Sequence, residues 1–111
     1  MLVTTTMSIE GYDIVDYFGV VRGIIVRSPT IMQGLMGNLK NIVGGRMGAF
    51  TVMCEQARFQ AYDLMILHAK ELGANAVIGM HYDAAPVGGD KYAATEVLCY
   101  GTAVLARKKV G

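Results

Sequence analysis

Charge is scarce in this chain. Only 17% of its 111 residues are Asp, Glu, Lys or Arg, where ordinary soluble domains carry about 25%. The net charge is +1, and the ten basic residues are scattered apart from Arg107, Lys108 and Lys109 near the C-terminus. No basic face with interleaved aromatic residues can be built from such a pattern, which argues against nucleic acid as a partner. Nine acidic residues leave little material for acid–base chemistry. No nucleophile elbow, Cys–His pair or nucleophile–base–orienter set stands out, so an enzyme is not expected. Long apolar runs are missing too. The longest run of apolar and small residues, Val97 to Ala106, is about half of the 18 or more residues a spanning helix needs. The N-terminus "MLVTTTMSIEGYD" has no basic stretch followed by a long apolar core, so no export signal is read there. Cysteine is limited to Cys54 and Cys99. They lie far apart in apolar surroundings, which suggests two buried free thiols in a reducing cytoplasm.

What the chain has in excess is apolar surface. Hydrophobic residues make up 53% of it and 14 glycines come on top, where apolar residues and glycine together usually reach about 45–50%. One domain of this length, residues 1–111, buries roughly 65% of its unfolded surface in a single modest core. With no membrane to absorb the surplus, contact between copies of the chain is the expected sink.

The order of elements reads β-β-α-α-β-β. "LVTTT" (Leu2–Thr6) is a short β-branched strand, and "YDIVDYFGVVRGIIVRS" (Tyr12–Ser28) is a long one. Within it, Gly19 and Gly23 mark a bulge, a bend or a close backbone approach. Thr30–Gly45 has helical spacing of Ile31, Leu35 and Leu39, although Gly34 and Gly37 weaken it. Ala49–Leu72 is the strongest helix, closed by Gly73 in the C′ position. Phe50, Met53, Cys54, Ala57, Ala61, Leu64, His68 and Leu72 form its expected core stripe. Val52, Phe59, Tyr62, Ile66 and Ala69 form a second apolar set, which points to two packing partners: the sheet and another molecule. Asn75–Asp83 is a buried strand, Ala84–Lys91 a turn-rich loop and Tyr92–Lys108 a final strand bent at Gly101. The fold class is therefore α+β, with one long helix packed on a largely antiparallel sheet.

Metal chemistry has weak support in the spacing. A structural zinc site wants C-x₂₋₄-C or H-x₃₋₅-H, and neither is present. Cys54 and His68 stand on one helix, about 21 Å apart along its axis at 1.5 Å per residue, too far to share an ion within a subunit. The candidates are Cys54 with His81 and Asp83, the last two sharing a strand face in "HYD". For a small anion, "GGRMG" (Gly44–Gly48) opening the long helix is the best local pattern. Gly44 and Gly45 would offer backbone N–H groups and Arg46 a positive charge. It lacks the Lys-Ser/Thr of a P-loop, and a tight interhelical turn explains the glycines as well. Glu55 and Arg58, at i,i+3, would pair on the helix or bridge two subunits around such a ligand. No cofactor is indicated.

Taken together, "VTTT" (Val3–Thr6), "EGYDIVDYFGVVRG" (Glu10–Gly23), "IVGGRMGAF" (Ile42–Phe50), "ELGANAVIGM" (Glu71–Met80) and "YGTAV" (Tyr100–Val104) resemble the YbjQ-like family, labelled heavy-metal-binding. The resemblance runs over nearly the whole chain. It implies a compact α+β subunit assembling into a ring, with a homopentamer expected, and no established enzyme activity. A ring subunit with contacts on two flanks would also account for the surplus of apolar residues.

Overall fold

The computed structural model describes residues 1–27, 46–88 and 94–110, with side chains in the helix from Val52 onward. Strand β1 is Leu2–Val3, β2 is Tyr12–Arg27, helix α1 is Arg46–Glu71, β3 is Ala76–Val87 and β4 is Ala94–Lys108. The four strands form one sheet in the order β1-β3-β4-β2. The two long pairings, β2 with β4 and β3 with β4, are antiparallel, whereas β1 runs parallel to β3. The expected α+β class with a long helix on the sheet is what is found. The helix expected over Thr30–Gly45 lies outside the described residues.

The N-terminal segment edges the sheet. Thr4 donates to the Val77 carbonyl at 3.0 Å, and Gly79 donates to the Thr6 carbonyl at 2.8 Å. The Thr6 hydroxyl then bonds the Ser8 carbonyl at 2.6 Å as the chain turns toward β2. Register shifts in β2 fall between Ile14 and Asp16 and between Tyr17 and Gly19. Gly19, anticipated as a bulge, takes a φ of 99° there.

Helix α1 ends as its sequence requires. The Gly73 N–H bonds the Lys70 carbonyl at 3.0 Å and the Ala74 N–H bonds the Ala69 carbonyl at 3.1 Å, with Gly73 at φ 87°. These are the two reciprocal bonds of a Schellman motif, and Ala74 and Ala69 share the core beneath it. Asn75 then anchors the start of β3: its amide donates to the Ala106 carbonyl at 2.8 Å and accepts from the Ala106 N–H at 2.7 Å.

The buried row of α1 is Met53, Ala57, Ala61, Met65 and Ala69. It differs from the expected stripe. Cys54 and Leu64 are exposed, as is Leu72 just beyond the helix, and His68 is half-buried. Of the expected second set, Tyr62 and Ile66 pack against the same core that buries Ala69, whereas Phe59 is 68% exposed. A spacing of four advances about 40° around a helix at each step. The row therefore winds around the helix as it crosses the sheet, and small alanines let the backbone come close. The closest approach is at Gly23, where a β-carbon would stand 1.9 Å from the Ala61 carbonyl oxygen and 2.7 Å from the Leu64 Cβ. Only glycine leaves room there. On the opposite sheet face a smaller core gathers Ala76, Ile78, Val104 and Ala106 with Ile9, Tyr12 and Ile14.

Strand β3 runs on to Val87 where a loop from Ala84 was expected. Pro86 pairs opposite Thr95 of β4. Past Met80 the far side of β3 has no partner strand among the described residues. An edge tolerates a residue without an N–H.

Candidate functional site

Pairing register decides which side chains of the sheet lie under the helix. Cys99 of β4 stands between Gly23 of β2 and Tyr82 of β3, and Val97 stands between Ile25 and Ala84. Arg27 and Pro86 flank Thr95 in the same way. Side chains alternate across a strand, so this set shares the helix-covered face. Near Gly23 the helix and sheet are in contact. Toward the N-terminal half of α1 they part around a pocket of about 120 Å³. Met53 and Ala57 bound it from the helix, and Ala84, Thr95 and Val97 from the sheet. Arg27, Arg58, Gln56 and Cys54 also line it, and among the described residues no carboxylate does.

The two arginines come from different elements. Arg27, the last residue of β2, donates a hydrogen bond from its guanidinium to the Gln60 side-chain oxygen. Arg58 reaches from the helix to β3 and lies over Tyr82, its guanidinium carbon 5.6 Å from the ring centroid, a cation–π geometry. The Tyr82 phenol is pushed up from its ordinary range by burial first, by Cys99 and Tyr62 next and by the Glu55 carboxylate last, with Arg58 acting in the opposite direction.

The two thiols sit in different surroundings. Cys99 is fully buried, its Sγ 3.6 Å from the Met65 sulfur, and burial pushes its pKa up to about 11. Cys54 is exposed rather than buried as expected. The helical turn that carries it overlies the pocket and not the packed seat.

The anticipated site residues divide accordingly. Gly44 and Gly45 lie outside the described residues; Arg46 opens the helix, and its side chain is not among those described. Glu55 is exposed on α1, while Arg58 turns to the pocket and Tyr82. The metal candidates are not brought together within one subunit. Tyr82 lies under Arg58, so His81 and Asp83 on either side of it project from the other face of the sheet, away from Cys54. Each also makes one local bond: His81 Nδ1 bonds the Gly79 carbonyl at 2.8 Å, its ring stacking on Tyr100 with centroids 5.9 Å apart, and Asp83 accepts from the Ala84 N–H at 2.9 Å. A carbonyl on Nδ1 directs Nε2 outward as the nitrogen open to a ligand. Among the described residues no three His, Cys, Asp or Glu side chains converge as a metal site would need. Arg27, Gln60 and Tyr82 were not anticipated. They meet through strand register and helix placement, for which no short stretch of sequence carries a signal.

Comparison with known proteins now bears on this geometry. A family model described as "Putative heavy-metal-binding" matches residues 1–107. The chain belongs to the YbjQ-like family. A UPF0145 protein of Legionella pneumophila (strain Corby) is 59% identical over 105 residues, covering 95% of this chain and 97% of that one. A UPF0145 protein of Francisella tularensis is 50% identical over 107 residues, covering 96% and 100%. A crystal structure of a DUF74-family protein of unknown function from Pediococcus pentosaceus superposes with a TM-score of 0.62 at 21% identity, covering 96% and 98%. That likeness supports the fold of this YbjQ-like chain. No helix among its described residues is long and apolar enough to cross a membrane.

Proposed function

We propose that this chain is a subunit of a closed homo-oligomeric ring, a pentamer by the family resemblance, whose role is to bind a small ligand or anion and not to catalyse a reaction. The observation that carries the ring is the border of the sheet at β2. Among the described residues this strand closes the sheet, with its Arg22 N–H bonded to His68 Nδ1 of the helix at 3.2 Å, and an edge strand offers its remaining unpaired backbone groups to another chain. Val20, Ile24 and Val26 are 65%, 43% and 56% exposed on one face of it, and Leu64 and Leu67 are 41% and 53% exposed on the helix. These are two exposed apolar patches, one on the sheet face away from the helix and one on the helix, and such patches beside an edge strand are suited to a neighbouring copy. Two unpaired cysteines fit a reducing compartment, hence a cytoplasmic protein.

Light scattering behind a sizing column tests the ring. The expected mass is a multiple of the 11.9 kDa chain, five for the pentamer. A Val20→Asp/Val26→Asp double variant is expected to shift the population to monomer. A wild-type monomer at micromolar concentration would overturn the reading.

A second reading, heavy-metal binding through Cys54, His81 and Asp83, rests on the family's printed description. It requires ligands from more than one subunit. Stoichiometric metal in protein purified without an affinity tag, lost on Cys54→Ser or His81→Ala, would favour it. Metal-free protein that neither substitution alters would remove it.

A further inference from the structure

The geometry points to the pocket beneath the N-terminal half of α1 as a binding site for a small organic monocarboxylate with a short apolar body. This deepens the ligand-binding half of the reading above and is independent of the ring. Three features of the pocket select that chemistry. Its inner surface is made by Met53, Ala57, Ala84 and Val97, which hold out little to a hydrated inorganic ion and suit methyl and methylene groups. Among the described lining residues the charge is of one sign: Arg27 enters from β2 and Arg58 from α1, with the Glu55 carboxylate close enough to act on the Tyr82 ring beneath Arg58 but not itself in the lining. A guanidinium fork matches a carboxylate in two hydrogen bonds. Its size, about 120 Å³, is well below the roughly 300–1,000 Å³ of clefts for drug-sized molecules, so a body of a few carbon atoms is the occupant. Gln60 holds Arg27 and the Tyr82 ring supports Arg58. Both cations are thereby oriented before the ligand arrives, which lowers the cost of ordering them on binding.

Cys54, in the lining, is a built-in reporter. It is the exposed thiol, while Cys99 is buried. Alkylation of Cys54 forms a sulfur–carbon bond with loss of iodide, and the reagent can be chosen by charge: iodoacetate carries a carboxylate and iodoacetamide does not. Any change in the reactive fraction of the thiol scales both reagents alike and cancels in their ratio. Full-length reduced protein is alkylated with each, and mass spectrometry assigns the product to Cys54. We expect the iodoacetate-to-iodoacetamide rate ratio to be about fivefold higher in the native protein than in urea. Millimolar butyrate should slow native alkylation and butyramide should not. Arg27→Gln and Arg58→Gln should each reduce the ratio by about half or more, with unchanged circular dichroism.

Equal ratios in native and unfolded protein, or no protection by butyrate, would overturn the site. Protection by phosphate or chloride as strong as by butyrate would overturn the apolar half of the assignment. Light scattering on the same samples separates the two readings. Protection in a monomer sinks the ring alone, and a ring without protection sinks the pocket alone.

Discussion

The chain's two cysteines lie on the same side of the sheet and mark two kinds of helix–sheet contact. Around Cys99, α1 rests on β2 so closely that Gly23 has no room for a β-carbon. Met65 fills the space above the thiol, and burial pushes the thiol's pKa up to about 11. Around Cys54, two to three turns earlier, the helix stands off the sheet over a pocket flanked by two arginines. One helix therefore performs two tasks. The alanine-lined C-terminal half is seated for stability, and the N-terminal half leaves a space. Helix and sheet pack closely where nothing prevents it, so a pocket left among the described residues and flanked by two arginines is the more informative of the two halves.

The sharpest way to break this contrast is to disturb the seat. Gly23→Ala puts a methyl 1.9 Å from the Ala61 carbonyl oxygen, a backbone atom that yields only if the helix shifts. Overpacking of this kind typically costs 1–3 kcal/mol, and a backbone collision belongs at the upper end, about 3 kcal/mol. Urea unfolding should register it as a lower midpoint with unchanged slope. A loss below about 0.5 kcal/mol would mean that the helix is not held against β2.

A smaller effect comes from pH. Cys99 is a thiol whose folded pKa, about 11, stands above the ordinary value of 9.0. Above about pH 9 the unfolded chain releases this proton while the folded chain keeps it, so the unfolded state binds fewer protons and stability falls as pH rises. The contribution is fully present below about pH 9 and is lost by about pH 11, on the order of 2 kcal/mol in all. Tyr82, also pushed up, titrates in the same sense. Comparison with Cys99→Ala across this range isolates the Cys99 part as a narrowing gap between the two proteins. A gap independent of pH would mean the thiol is not dry.

The backbone turns and the close approach of the tight half were legible in the sequence; its buried row and the open half were not. Gly23 stood out inside a β-rich run, Gly73 sat where a helix must end, and Gly19 marked its bulge. The stretches that resemble the YbjQ-like family do fold-making work of this sort: in "GANAV" Gly73 and Ala74 close the helix and Asn75 brackets Ala106. Such signals are local, because each depends on a backbone angle or on spacing along one element. The pocket depends on which residues of β2, β3 and β4 come level with one another, and register between distant strands leaves no local mark. Arg58 was singled out as half of a helical pair with Glu55, when its contact is Tyr82 on another element. Arg27 looked like the end of a strand and nothing more. The core stripe was misread for a related reason. Leu64 and Leu72 are greasier than Ala57 and Ala69, yet the alanines are buried because only small side chains permit so close an approach.

The finest test compares one substitution in the two halves. Ala57 and Ala61 are consecutive members of the buried row, 3% and 0% exposed. Ala61 sits on Gly23, whereas Ala57 borders the pocket. Valine at position 61 must displace packed neighbours and should cost about 1–3 kcal/mol. Valine at position 57 extends toward the pocket that Ala57 helps to line. Its helix-propensity penalty of roughly 0.5 kcal/mol is offset by the apolar surface it covers, leaving stability within about 0.5 kcal/mol of wild type. The same two methyl groups should exclude butyrate and remove its protection of Cys54. Ala57→Val would then fold like the parent while losing the ligand, a combination that a gap serving only as slack in the core would not produce.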